Sequence, residues 1–540
     1  MKKFDVFSNS FSQSIFLQKY SLNGQESWED TAKRVVTSVC GQLLSKEDQD
    51  IIIKFIKDRK FIPGGRYLYS AGRPLHQVNN CFLFKAEDSR EGWASAMEKA
   101  TSALMTGGGI GFDYSKLRAE GSLISRTGGT STGPIALMHM INEAGRYIMQ
   151  GGQRRSAIWA GLNWSHDDIF KFMNLKNWPK ELEDLKQKNL TFPVPMELTN
   201  ISVIYDTEFF IAIEDKTHKK HELAKSVWSQ NCLQAFSTAE PGMSFNFRKD
   251  NESARNACTE VTSEDDSDKC NLGTVWINRI QDKKELRQVV KYATKFLMCG
   301  GIYSDVPNER IREVGNKNNR IGLGLGGMHE WLMMRNESYK VTPEMHKWLS
   351  IYEQESDSEA FITAKQLNVS VPKGVRAIAP TGTIGIIAET TTGIEPLFCK
   401  AYKRRYFKDG KWMYQYVVDG AVKRLIDSGV KVENIKDSYD LTFKERVKFQ
   451  ADVQNYVDMA ISSTCNLQQW GTLSNNEQTL EENSKLLLKY AKRLRGFTCY
   501  PDGSRSGQPL TRVSLEEALK SEGVVFEEAE TECVGGVCGL

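Results

Sequence analysis

The chain has 540 residues, 40% apolar and 26% charged, the balance of a soluble globular protein with room for a large core and more than one unit. Lys and Arg number 71 against 68 Asp and Glu, a net charge of +3, so no global field points to nucleic acid or an anionic membrane as partner. Met1-Lys2-Lys3-Phe4-Asp5 opens no apolar run and no stretch has the length of a membrane helix, so a cytoplasmic protein with reduced thiols is expected.

Residues 1 to about 75 read as a helical N-terminal region, with charged residues around Trp28, Val35, Val36, Val39, Ile51, Ile52 and Phe55. Phe61-Ile62-Pro63-Gly64-Gly65-Arg66 reads as the turn that ends it. A helix is predicted from about Glu91 to Thr106, stopped by Gly107-Gly108-Gly109. Another starts after Thr132-Gly133 with Pro134 in its first turn, carries Leu137, Ile141, Ala144 and Ile148 on one stripe, and ends at Gly151-Gly152. Ile201–Tyr205 and Val375–Ala379 are β-type runs, and strands alternating with helices predict an α/β fold with parallel pairing. From about Tyr500 the chain turns polar, then acidic, and closes on Cys533-Val534-Gly535-Gly536-Val537-Cys538, which reads as a mobile tail. The expected organisation is therefore 1–75, 76–500 and a tail over 501–540.

Several short constellations could carry chemistry. In an extended segment Asn256, Cys258 and Glu260 would share one face, gathering an amide, a thiol and a carboxylate. Alone, the trio reads more readily as a surface loop with a stray cysteine. Cys270-Asn271-Leu272-Gly273 follows, and Asn80-Cys81 lies far upstream; either cysteine by itself reads as a small buried hydrophobe. Cys533 and Cys538 are separated by glycines that let the chain bend back, which suits thiol–disulfide exchange. Ala379-Pro380-Thr381-Gly382-Thr383 follows a β-type run and would offer backbone N–H groups to phosphate, or be an ordinary tight turn. Gly322, Gly324 and Gly327 fit the spacing of a dinucleotide loop but lack its supporting unit, and read as close helix packing; Gly107–Gly111 lacks the lysine of a P-loop. His218 and His221 lack the further ligands of a zinc site, and no metal site is expected.

Taken together these motifs resemble the ribonucleotide reductases, and within them the adenosylcobalamin-dependent class II enzymes. The likeness runs from about Phe61 to Leu540 and includes Thr106–Arg118, Gln150–Ala157, Asn256 to Gly273, Pro380-Thr381-Gly382-Thr383, Tyr500–Arg505 and the closing cysteine pair. The resemblance implies a ten-stranded α/β barrel of two antiparallel five-stranded parallel halves, with a central finger loop carrying Cys258. It implies a thiyl radical on Cys258, generated with adenosylcobalamin, that abstracts the ribose 3′-hydrogen. Glu260 would take the 3′-hydroxyl proton, Asn256 would position the hydroxyls, and Cys81 and Cys270 would become a disulfide as the 2′-hydroxyl leaves. Cys533 and Cys538 would then reduce that disulfide and be reduced by a thioredoxin- or glutaredoxin-like partner. Pro380, Thr381, Gly382, Thr383 and Ser202 are the implied substrate contacts, and Arg118, Gln153, Arg154 and Arg155 the implied relay from a deoxynucleotide specificity effector.

The class II reading rests on what the chain does not contain. No Tyr-Tyr dipeptide is present to receive a radical from a partner, and Gly539 lies in no glycyl-radical context. The alternative is a class I-type catalytic subunit that needs a separate radical-generating subunit. Three departures from the family pattern stand out: Asn80 before Cys81, Glu389 where small residues are frequent, and no proline after Cys538. The N-terminal region is too short for an ATP-binding activity switch, and a homodimer is expected.

Overall fold

The computed structural model describes residues 6–8, 10–125, 127–148, 156–189, 192–408, 411–504, 510–521 and 524–527. Helices Trp28–Cys40 and Lys46–Lys57 start at Ser27 and Ser45, whose hydroxyls accept the N–H groups of Asp30 and Asp48. Their apolar stripe is buried at Trp28, Val35, Val36, Val39, Ile52 and Phe55, while Ile51 packs half-buried against the same core. That core is shared with helix Lys283–Tyr303 and is not a separate N-terminal one.

The largest sheet contains strands labelled here β1 (Phe61–Pro63), β2 (Cys81–Lys85), β3 (Gly109–Asp113), β4 (Ile158–Asn163) and β5 (Thr199–Tyr205), then β6 (Gly242–Phe245), β7 (Asp268–Trp276), β8 (Ile321–Gly326), β9 (Thr464–Leu467) and β10 (Gly496–Pro501). Strands β2 to β6 pair in chain order, all parallel. Opposite them, β7 pairs parallel with β8, and β9 with β10. The extended segment 375–378 bridges the gap between these pairs: Leu323 meets Arg376 and Ile378 meets Ile461, both in parallel. Two antiparallel seams, β2 on β7 and β6 on β10, join the halves. The ring is therefore a closed α/β barrel of five plus five, counting 375–378 and leaving out β1.

Strand β1 is where a turn was expected. Phe61, Ile62 and Pro63 are all buried and pair antiparallel with β7, and the helix Gly65–Ser70 follows. The proline is tolerated because β1 lies at the sheet's edge. The predicted helices appear at Arg90–Met105 and Gly133–Tyr147, with Leu137 and Ile141 fully buried.

Alternation along the strands separates outside from inside. Phe82, Phe84, Ile110, Phe112, Ile158, Ala160, Ile201 and Val203 face outward into one large helix-covered core. Several inward positions are glycine: Gly109 and Gly111 on β3, Gly161 on β4, Gly242 on β6, Gly322 and Gly324 on β8. The Gly322–Gly327 run is thus mostly a barrel strand packed on its neighbouring strands, and not the helix contact expected from sequence: a Cβ at Gly324 would lie 2.8 Å from the Ala377 carbonyl.

The space freed inside is filled by chain. Residues 246–267, between β6 and β7, run through the barrel as a hairpin in which Ala254–Arg255 pairs antiparallel with Thr262–Ser263. A Cβ at Gly111 would collide with the Arg255 carbonyl, and one at Gly109 would stand 3.1 Å from Ala257 Cβ. Arg255 is fully buried, and its guanidinium donates to Asn246 Oδ1 at 2.5 Å and to the Arg495 carbonyl at 3.2 Å. Ala460 N–H donates to the Glu260 carbonyl at 2.9 Å, tying the hairpin to the opposite half.

The polar C-terminal stretch expected as a mobile tail is built into structure for part of its length. Leu510–Arg512 and Val525–Glu527 flank the hairpin Ala401–Lys408/Lys411–Val418 in a four-stranded antiparallel sheet, with helix Leu515–Lys520 between them. Ala401 and Val418 of that sheet pack with Ala518 of the helix Leu515–Lys520 and with Ala421, Val422 and Leu425 in a small core of their own. Among the described residues no helix is long and apolar enough to cross a membrane.

Overpacking inside the barrel should unseat the hairpin. Gly111→Ala is expected to lower urea-unfolding stability by about 1–3 kcal/mol. Gly129→Ala, where the nearest atom would be 3.9 Å away, should change it by less than about 0.5 kcal/mol.

Candidate functional site

Cys81 and Cys270 are direct cross-strand partners at the seam between β2 and β7. Residues so opposed in an antiparallel pair have Cα atoms about 4.5–5.5 Å apart, inside the range a disulfide spans. Both occupy inward positions, beside Leu83, Ala254 and Val261. Asn256 Nδ2 donates to Cys81 Sγ at 3.0 Å, which brings the hairpin tip to the pair.

The tip is a turn and not the extended segment expected from sequence. Thr259 N–H donates to the Asn256 carbonyl at 3.0 Å, and Thr259 takes φ +68. Asn256 Oδ1 accepts Val261 N–H at 3.0 Å and stiffens the return. The amide, thiol and carboxylate converge because the chain reverses, not because of strand alternation. Cys258 is the one exposed cysteine of the nine free cysteines among the described residues. Burial nevertheless pushes its thiol well above the ordinary range, with the Glu260 charge adding to the shift. Open surface on a group enclosed by protein means that its sulfur faces an interior chamber. Asn200, exposed on an inward position of β5, lines the same space, with Nδ2 at 3.4 Å from the Ala257 carbonyl.

Glu260 is 1% exposed and its Oε2 has no hydrogen-bond partner. Burial raises its pKa from 4.5 to about 7, against the opposing hydrogen bond from Asn256. Burial likewise pushes the Cys81 and Cys270 thiols well up. These thiols keep their hydrogens at neutral pH, which suits hydrogen-atom transfer better than thiolate attack.

The expected phosphate turn sits at the C-terminal end of the barrel segment 375–378, on the side where Glu260 approaches. Thr381 takes φ +52 and its Oγ1 is buried without a partner. Helix Gly382–Ala388 begins there with no side-chain cap, so its first N–H groups remain available. Pro380 and Gly382 are exposed and Thr383 half-buried. Ser202 lies inside the barrel on β5 but is buried, accepting Trp159 Nε1–H at 2.9 Å. Arg118 is remote: it pairs with Asp88 at 2.7 Å beyond the ends of β2 and β3 that point away from Cys81. Gln153, Arg154, Arg155, Cys533 and Cys538 lie outside the described residues. The flanks of the first three are in place: Ser156 Oγ donates to the Ile148 carbonyl at 3.0 Å, and the Ala157 carbonyl lies against Gly109, next to the tip. Among the described residues no group of three His, Cys, Asp or Glu could hold a metal ion.

The family pattern described as "Ribonucleotide reductase, barrel domain" matches residues 79–215, 205–348 and 372–500. This chain belongs to the ribonucleotide reductase family. It is similar to the vitamin B12-dependent ribonucleoside-diphosphate reductase of Thermoplasma acidophilum, 26% identical over 86% of this chain and 67% of that protein. The protein of that same name from Mycobacterium tuberculosis is 25% identical over 90% of this chain and 75% of its own length. The ribonucleoside-diphosphate reductase large chain of Neurospora crassa is 29% identical, but over 48% of this chain and 33% of its own.

Two features of this reductase barrel were not read from sequence. Arg255 and Arg495, with Glu252, clamp the finger's base: Arg495 Nη2 pairs with Glu252 Oε2 at 2.8 Å. Arg495 holds the Glu252 carboxyl at about 2 although burial alone would raise it. Glu389, noted as unusual, is 5% exposed and pairs with Arg59 at 2.9 Å, pinning the N-terminal region to the helix that follows the phosphate turn.

The opposed pair should be oxidisable as a unit. Diamide treatment followed by peptide mapping is expected to give a Cys81–Cys270 cross-link that Cys270→Ser abolishes; either cysteine pairing elsewhere would refute the seam geometry. Glu260 makes a second prediction. Its folded pKa, about 7, exceeds 4.5, so its stabilising contribution is complete below about 4.5 and lost as pH rises through 7. The stability of Glu260→Gln relative to the parent should therefore rise between pH 5 and 8, by up to about 3 kcal/mol. Urea titrations at both pH values measure it.

Proposed function

We propose that this chain reduces ribonucleotides to deoxyribonucleotides by cysteine radical chemistry, with adenosylcobalamin as the radical source. The observation that carries the reading is the chamber: one sulfur open to it, two sulfurs opposed across a seam, and a carboxyl poised near neutrality beside them. The cofactor fits this arrangement, because a radical formed outside the polypeptide needs an accessible sulfur, and Cys258 is that sulfur and the residue that would meet it. When bound, adenosylcobalamin supplies the unpaired electron through cobalt–carbon homolysis. The names of the Thermoplasma and Mycobacterium relatives support both the cofactor and a diphosphate substrate.

The chain's own residues perform the rest. The Cys258 thiyl takes the 3′-hydrogen atom and becomes a thiol. Glu260, in its carboxylate form, accepts the 3′-hydroxyl proton while the Asn256 turn holds the tip in place. The 2′-hydroxyl leaves as water with a proton from the Cys81/Cys270 pair. Those two thiols together give up two electrons and two protons, one proton leaving in the water and the other becoming, with the two electrons, the new hydrogen at C2′, and they close a disulfide. Cys258 finally returns a hydrogen atom to C3′ and is again a thiyl, while Glu260 returns its proton to the 3′-oxygen. Thr381, Gly382 and Thr383 would hold the substrate phosphate with backbone N–H groups, and enclosure keeps water from the radical.

A deoxynucleotide effector acting through the loop containing Gln153, Arg154 and Arg155 fits the position of that loop's flanks beside the tip. Reduction of the seam disulfide by Cys533 and Cys538, with an external dithiol partner, and assembly as a homodimer complete the proposal. The purified chain should reduce CDP or CTP with adenosylcobalamin and dithiothreitol alone, and Cys258→Ala should lower turnover by a factor of about 10³ or more. Full turnover in Cys258→Ala would refute the assignment, and dependence on a second protein would favour the class I-type alternative.

A further inference from the structure

A cavity of about 360 Å³ opens beside the barrel, outside the chamber, with Arg279, Glu330 and Arg424 in its wall and Asp58 and Asp427 at its rim. Arg279 follows the end of β7. Its Nη2 donates to the Ala388 carbonyl at 2.5 Å. Its Nε is buried without an acceptor, and among the described residues no carboxylate lies within ion-pair distance of it. Arg424 is bound to Glu330 through Nε and Nη2 at 3.0 and 2.8 Å, yet its Nη1 is also buried without an acceptor. The third guanidinium nearby, Arg59, is spent on Glu389.

Arg59, Arg279 and Arg424 stand near Glu330, Glu389 and Asp419, but Glu330 is bound to Arg424 and Glu389 to Arg59, while Asp419 faces Arg424, so that Arg279 has no ion pair with any of the three. Burial and the two neighbouring arginines bring Arg279 down to about 9. Asp58 and Asp427 are exposed, so water and salt screen them, whereas Arg279 is half-buried and is screened less. A partly buried charge without an ion-pair partner is destabilising, and an anion entering from solvent would relieve that cost. A guanidinium with free donors is suited to the oxygens of phosphate.

We propose that this cavity is a second anion site, independent of the chamber, in which Arg279 and Arg424 bind the phosphate group of a small phosphorylated ligand. Exposed carboxylates at the rim disfavour a highly charged ligand there and favour one whose remainder carries hydrogen-bond donors. Arg279 also holds the end of the helix that begins at Thr381, so occupancy of this site would be felt at the turn proposed to hold the substrate phosphate.

Calorimetric titration of the full chain tests it, with inorganic phosphate in one arm and a deoxynucleoside monophosphate in the other. Saturable binding is expected in both arms, about tenfold or more weaker in Arg279→Gln and partly restored in Arg279→Lys. The tighter arm identifies the source of the phosphate. Thr381→Val alters the proposed substrate turn and should leave this binding unchanged, so failure of the substrate reading is separable. Without ligand, Arg279→Gln should be at least as stable as the parent, because it removes a half-buried charge that has no ion pair among the described residues. Equal affinity in Arg279→Gln, or no saturable binding by the parent chain, would overturn the proposal.

Discussion

A closed barrel with a length of its own chain threaded through it depends on one constraint: the inner wall must give up its side chains where the hairpin passes. Strand β3 meets that demand with Gly109 and Gly111, whose missing Cβ atoms leave room for Ala257 and the Arg255 carbonyl. The hairpin then bonds to both halves, to the first through Asn256 and Cys81 and to the second through Ala460. The position of the Cys258 sulfur is therefore set by contacts on two sides, one between side chains and one between backbone groups. A side chain on a free loop would have no such fixed place.

Enclosure has a second effect, on protons. The same loss of water raises Glu260 into the neutral range and keeps the Cys81, Cys258 and Cys270 thiols protonated. Among the described residues no cation offsets this at Cys258 or Glu260, and Arg320 and Lys269 offset it only in part at Cys270; the Arg255 and Arg495 cations stay at the finger's base, paired with Glu252 and backbone carbonyls. The arrangement separates charge, which anchors the hairpin, from neutral hydrogen donors, which occupy its tip. Buried arginines at the base would carry a large desolvation cost without their carbonyl and carboxylate partners.

The motifs legible in the sequence were those whose identity is fixed by chemistry: Cys81, Cys258, Cys270, Asn256, Glu260 and the Pro380–Thr383 turn. The family resemblance implied that Cys81 and Cys270 act together, and the two are opposed across the seam; at the tip, a turn with Thr259 at positive φ replaces the extended strand expected from sequence. Phe61–Pro63 looked like a turn because proline and glycine follow a helix; the strand forms because β7 offers it an open edge. The polar segment after Tyr500 looked mobile because it lacks an apolar run of its own, yet residues 510–512 and 525–527 gain hydrogen-bond partners from a distant hairpin. Glu389 looked like a departure from pattern and is explained by Arg59, more than three hundred residues away.

By itself the sequence determined the reactive groups, the alternation of strands and helices, and the small residues that make an interior passage possible, because these follow from residue chemistry and local periodicity. Only the tertiary structure decided that Cys81 and Cys270 lie in register, that Cys258 is exposed while Cys81 and Cys270 are buried, and that Arg279 pairs with no carboxylate among the described residues. Those are properties of groups far apart in the chain. Ring closure brings them together, and burial then sets their protonation, which no local pattern encodes.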